Sequence, residues 1–155
     1  MSDFFRIHTP TGGWTGEMPG PFLTNNCDGL VDGAPDLRGT WRPVAVSMNG
    51  EPAPKELPLW SHVERIEQCG ARVIVTSDGI IHDFPIADGT VENGCHDVAA
   101  IDKITPIRVA GSFENGVFIL RPEDMPGVEV HRWRDGDYLM WKYHTMFEMK
   151  MERIA

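Results

Sequence analysis

From Leu37 to the C-terminus the chain breaks into short apolar runs separated by glycine-bearing turns. Asn-Gly stands at 49–50, 93–94 and 115–116, Asp-Gly at 78–79, 88–89 and 135–136, and Cys-Gly at 69–70. Asn-Gly and Asp-Gly mark hairpins, because both central residues of a type I′ turn need positive φ. The runs between them are rich in Val, Ile, Phe and Trp. The spacing of Pro and Gly leaves no room for a helix of about ten residues; single helical turns fit 54–62 and 121–127. Segment 138–154 alternates from end to end. Its odd positions, from Leu139 and Trp141 to Met149 and Met151, are mostly apolar, and its even positions, such as Lys142, Glu148, Lys150 and Glu152, are mostly charged. One strand of that length suits a tilted strand wrapping a barrel. The pattern predicts an all-β fold over 37–155, a closed antiparallel up-and-down β-barrel of about eight to ten strands.

Residues 1–36 have neither period. They are rich in Gly, Pro, Asn and Thr, yet carry Phe4, Phe5, Trp14, Phe22 and Leu23, more aromatic surface than a disordered tail holds. They read as an extended N-terminal arm. It lids the open end of the barrel or packs against a second copy of the chain in a homodimer, the alternative being a disordered tail.

Two-residue turns fix which side chains share a face. Turns at Cys69-Gly70 and Asp78-Gly79 place His62, Glu64, Ile66, Val73, Val75, His82 and Phe84 inside. Arg65, Glu67, Arg72, Ile74, Ile81 and Asp83 fall outside, with Glu67 opposite Arg72. A turn at Asn115-Gly116 puts Phe113 and Phe118 inside. One at Asp135-Gly136 puts Arg132, Trp141 and Tyr143 inside, with Glu129 opposite Lys142 on the outer surface. His131 and His144 also fall outside. The interior is thus apolar except for a few polar groups, among them His62, Glu64, His82, Arg132, Tyr143 and Arg153.

Those groups support an expectation about function. A Glu–His pair in an apolar cavity can be poised near neutral pH, with burial raising the carboxylate and a nearby cation lowering it. Glu64 and His82 then serve as base and acid, Arg132 holds an anionic group, and Tyr143 donates to a developing oxyanion. His62, Phe84, Phe113, Phe118 and Trp141 line a pocket for a small hydrophobic or aromatic ligand. Such a site fits an isomerase, lyase or cyclase that needs no cofactor. A non-catalytic carrier barrel uses the same residues only to bind. A metal-dependent enzyme would draw on His62, Glu64 and His82, with Cys95, His96 or Asp97 as a fourth ligand. Any of the six histidines could face a haem, so the pattern singles out none. No Walker loop, dinucleotide fingerprint, Gly-x-Ser-x-Gly or His-Glu-x-x-His is present.

The segment "LRGTWRPVAV" at 37–46 resembles the Gly-x-Trp opening strand of the lipocalin-like, or calycin, barrels. The resemblance covers 37–155. It implies a cavity for one small ligand, and it implies that Trp41 packs against Arg153 of the last strand at the closed end.

Composition narrows the partners. A chain of 155 residues suggests one domain, and a net charge of −9 repels nucleic-acid backbones and anionic membranes. The three cysteines, Cys27, Cys69 and Cys95, are odd in number and form no CxxC. They read as free thiols in a reducing compartment. The N-terminus has no basic start followed by an apolar run, and no stretch is apolar enough to cross a membrane as a helix. A cytoplasmic location is the expectation.

Overall fold

A computed structural model of the chain describes residues 5–23, 27 and 29–155. Phe4, one of the arm's expected anchors, lies outside them. The strands are β1 (Gly39–Met48), β2 (Glu51–Pro52), β3 (Glu64–Cys69), β4 (Arg72–Ser77), β5 (Ile80–Phe84) and β6 (Cys95–Val98). They continue with β7 (Pro106–Glu114), β8 (Val117–Pro122), β9 (Val130–Asp135), β10 (Tyr138–Tyr143) and β11 (Phe147–Arg153). All ladders are antiparallel and run in the order β5-β4-β3-β1-β11-β10-β9-β8-β7-β6, while β2 pairs β1 alone. The result is a nearly closed up-and-down barrel with first and last strands side by side. The sole regular helical piece among the described residues is a short turn at Pro58–Ser61.

One long C-terminal strand was expected, and the structure holds a hairpin instead. His144 takes φ 49°, and the Met146 N–H donates to the Tyr143 carbonyl, so the chain reverses between β10 and β11. Tyr143 pairs with Phe147 across this turn. Both are odd positions, so the alternation passes through the reversal unbroken.

Two predicted hairpins are displaced by one residue. The pairs are Cys69 with Arg72 and Asp135 with Tyr138, which makes Gly70-Ala71 and Gly136-Asp137 the turn residues. In each turn glycine is the first central residue and alone has positive φ, the type II′ pattern rather than I′. Sliding a two-residue turn by one position leaves every side chain on its face, so the inside set stands while the cross-strand partners change. The expected ion pairs Glu67–Arg72 and Glu129–Lys142 are therefore not formed. Arg72 binds Asp83, Glu129 binds Arg121 and His131, and Lys142 faces His131.

At the end holding the chain's C-terminus, Trp41 is fully buried and its indole N–H donates to the Leu37 carbonyl at 3.0 Å. The guanidiniums of Arg153 and Arg134 lie 5.0 and 5.3 Å from its ring centre. Gln68 secures the entry to β1, accepting from Leu37 N–H and donating to the Pro35 carbonyl. The opposite end is looser. Met48, Leu57, Leu59, Leu120, Tyr143 and Phe147 pack on the core there while remaining partly exposed.

The outer face of β3–β5 is not a solvent face. Ile74, Thr76, Ile81 and Asp83 are buried although they point away from the barrel interior. The N-terminal segment covers them as a U-shaped strap. Its first limb runs antiparallel to β5. Ile7 N–H donates to Asp83 Oδ2, Thr9 exchanges side-chain hydrogen bonds with Ile81 N–H and C=O, and Trp14 N–H donates to the Gly79 carbonyl. The second limb rises over β3. Arg65 donates to the Pro19 and Gly20 carbonyls, and Glu67 Oε1 accepts from Phe22 and Leu23 N–H. Phe5, expected as an anchor, is 84% exposed, and its carbonyl accepts from Arg72.

The strap also corrects the reading of the cysteines. Cys27 and Cys69 form a disulfide, and Cys95 alone is free and buried. An odd count excludes full pairing but not one pair, and the strap brings residue 27 beside the end of β3.

No ladder joins β5 to β6. Side chains bridge that seam instead. Inside, His82 Nε2 donates to the Val98 carbonyl at 2.8 Å. Outside, Thr9, already bonded to β5, donates its N–H to Asp97 Oδ2 of β6, and Arg6 donates to the Gly94 and Glu92 carbonyls just before it.

Candidate functional site

The interior holds one continuous chain of charged groups. His62 follows the Pro58–Ser61 turn and Glu64 opens β3, so both point inward. Across the barrel, β9 supplies Arg132, which pairs in register with Trp141 of β10. Glu64 is completely buried, and His62 and Arg132 are each 4% exposed. Arg132 grips Glu64 with two bonds, Nε to Oε2 at 2.9 Å and Nη2 to Oε1 at 3.2 Å. His62 Nε2 donates to Glu64 Oε1 at 2.8 Å, and its Nδ1 donates to Asp78 Oδ2 at 2.7 Å. Asp78 sits in the β4–β5 turn with φ 48°, a conformation that Asp and Asn tolerate.

Two ring nitrogens donating to two carboxylates require an imidazolium. Burial alone would push the His62 pKa down, but the bonds to Asp78 and Glu64 outweigh it and raise it to about 9. Burial likewise pushes Glu64 up, yet Arg132 and His62 overcome it and hold the carboxyl at about 2. Glu64 is therefore not poised near neutrality. It is a fixed anion with its oxygens committed.

The linkage signs follow. His62 is raised above its ordinary 6.5, so its contribution to stability is complete below pH 6.5 and is lost as pH climbs through about 9. Glu64 is lowered from 4.5, so its contribution is present above pH 4.5 and is lost as pH falls toward about 2. Asp78→Asn keeps the turn and removes one charge from His62. It should lower the His62 pKa by about one unit or more. An NMR titration of the ring protons checks this, and an unmoved midpoint would disprove the coupling.

His82 occupies the expected inner face but makes no hydrogen bond with Glu64. Burial is the largest influence and lowers its pKa; the Val98 carbonyl and Asp97 act against it and Arg132 with it, and the net shift favours the neutral ring. Donation from Nε2 to Val98 fixes the tautomer and leaves the Nδ1 lone pair as the basic atom.

The aromatic residues divide into two groups. Trp141 joins the charged chain: its ring lies 4.6 Å from His62 and 4.7 Å from the Arg132 guanidinium. Tyr143 and Phe147 pack beside it toward the looser end, at 6.4 and 5.0 Å from its ring. Phe84, Phe113 and Phe118 form a separate cluster with 5.5 Å ring separations. Phe84 and Phe118 are fully buried, and a Cβ on Gly111 would crowd both rings at 3.0–3.1 Å. These rings fill the core.

Two donors in the charged chain are left over. Arg132 Nη1 and Trp141 Nε1 are buried and have no hydrogen-bond partner among the described residues. Buried N–H groups without an acceptor are costly. Both lie on one stacked pair of side chains.

His62 and Glu64 bind each other rather than a shared centre, and among the described residues no group of three His, Cys, Asp or Glu is arranged to hold a metal ion. Two surface grooves, of about 360 and 560 Å³, lie elsewhere, one beside His8 and Asp97 and one beside Lys55 and Trp60. Neither is lined by the charged chain.

Neither a protein-family model nor a curated protein matches the chain.

Asp78 is the member of the charged chain that the sequence pattern did not reveal. Its turn role was plain, but its bond to His62 spans 16 positions and comes from a hairpin tip folding back on the barrel end.

Proposed function

We propose that the protein binds one small, largely apolar molecule at the looser end of the barrel, through an oxygen that accepts from Arg132 Nη1 and Trp141 Nε1. The pair of unpartnered buried donors carries this reading. Trp141, Tyr143 and Phe147 supply the apolar contact beside it. The lipocalin-like reading is in accord: Gly39-Thr40-Trp41 opens β1, Arg153 of the last strand stacks on Trp41, and such barrels enclose ligands of this kind. The binding role takes precedence over acid–base chemistry at Glu64, because that carboxylate is spent on Arg132 and His62.

Trp141→Phe tests the site. It keeps an aromatic side chain but removes the pyrrole half of the indole with its N–H donor, and it should weaken a bound oxygen ligand at least about five- to tenfold, the worth of one neutral hydrogen bond. Ligand titration followed by calorimetry reads this directly. Equal affinity in the variant would remove Trp141 from the site.

A second reading, a cofactor-independent isomerase or lyase, rests on His82. A neutral imidazole with a free Nδ1, close enough to Arg132 to feel its charge, is a general base beside a candidate oxygen site. His82→Ala separates the two readings, since it abolishes turnover in an enzyme and only changes affinity in a carrier.

No helix among the described residues is long and apolar enough to cross a membrane. The Cys27–Cys69 bond weighs against the reducing cytoplasm expected from the cysteine count, because exposed thiol pools there keep such pairs reduced.

A further inference from the structure

We infer that the site selects a neutral carbonyl oxygen over a carboxylate. The inference rests on the binding reading above and narrows its ligand class.

It follows from what already surrounds the two free donors. The charged chain contains two cations, the buried Arg132 and His62, and two anions, the buried Glu64 and the half-exposed Asp78 at the β4–β5 turn, joined by contacts of 2.7–2.9 Å. Its charges cancel. Arg132 has already given Nε and Nη2 to Glu64, which lies completely buried beside it. A ligand carboxylate on Nη1 would share one guanidinium with Glu64, and two carboxylates at one site repel. It would also add a negative charge to a network whose four charges already balance, with no third cation among those linked side chains to answer it.

A neutral carbonyl meets neither penalty. Its oxygen has two lone pairs, and the site offers two N–H donors, one from the guanidinium and one from the indole. The stacking of Arg132 on Trp141 holds those donors on adjoining side chains, their ring and guanidinium centres 4.7 Å apart. The anionic ligand expected from Arg132 alone fits a free arginine. This arginine is not free, because Glu64 supplies its counter-charge. Ketones, aldehydes, esters and amides with an apolar body are the matching class.

Matched pairs test this with the intact, disulfide-bonded protein: acetophenone against benzoate, cyclohexanone against cyclohexanecarboxylate, and 2-octanone against octanoate, each titrated by calorimetry at neutral pH. In each binding pair the ketone should bind about tenfold or more tightly than its acid. Trp141→Phe should weaken the ketone about five- to tenfold. Glu64→Gln, where folded, leaves the chain with a net positive charge and should move the preference toward the acid. Acids that bind as tightly as their ketones, or more tightly, overturn the selectivity and leave the binding reading standing. If no compound of any pair shows saturable binding, the binding reading falls and the selectivity with it.

Discussion

Replacing Glu64 by alanine should cost the barrel about 3–5 kcal/mol, the loss seen when one member of a buried ion pair is removed. The reason is what remains behind. Arg132 and His62 stay 4% exposed, one a permanent cation and the other an imidazolium made so by its carboxylates. Without Glu64 the guanidinium has no counter-charge, and three of its donors lack acceptors. Domains of this kind are stable by about 5–15 kcal/mol, so the loss is a large fraction of the whole. Urea denaturation of both proteins measures it. Pairing Glu64→Leu with Arg132→Met should recover much of the loss, since the guanidinium is no longer stranded and His62 keeps Asp78 as its partner. A single variant that loses less than about 1 kcal/mol would show that water reaches Arg132 and that the chain of charges is not buried in solution.

Cys69→Ser should have the next largest effect. The disulfide closes a loop with a sequence separation of 42, for which chain entropy alone gives about 4 kcal/mol. The loss should fall on the strap's second limb, where, among the described residues, the hydrogen bonds to Arg65, Glu67 and Gly70 would remain. Denaturation with and without a thiol reductant reads the stability, and limited proteolysis reads the limb. The chain unfolded without reductant should titrate a single thiol, Cys95. Three thiols there, or identical cleavage before and after reduction, would exclude the bond as the strap's fastening.

The barrel was readable from the sequence for a reason that did not depend on getting the turns right. Cys69-Gly70 and Asp135-Gly136 were each read one position early, yet Glu64, His82, Arg132 and Trp141 kept their faces, because a two-residue turn preserves alternation wherever it is cut. The β10–β11 reversal was invisible for the complementary reason. His144-Thr145-Met146 contains no turn former, and a three-residue loop joins positions of equal parity. The covered outer face did leave a trace. Ile74 and Ile81 fell on a surface otherwise assigned to charges, and two β-branched residues there call for a covering segment. The polar chain was half legible. His62, Glu64 and Arg132 could be placed inside, but what they do to one another depends on distances across the barrel that no local pattern encodes. Hence the expected poised carboxylate is a fixed anion, and the expected anion-binding arginine is already neutralised.

The seam between β5 and β6 has a colloidal consequence. A barrel closed by ladders has no edges, whereas this one is a rolled sheet with two, and bare edges template the addition of strands from other molecules. The strap blunts the β5 edge in a way a pairing strand would not. Thr9 occupies Ile81 N–H and C=O with a side-chain hydroxyl, leaving no backbone repeat for a newcomer to continue. Trimming the chain to begin after Trp14 would uncover that edge and turn a self-contained barrel into a seed for fibrous growth. The N-terminal segment thus shields one of the sheet's two edges.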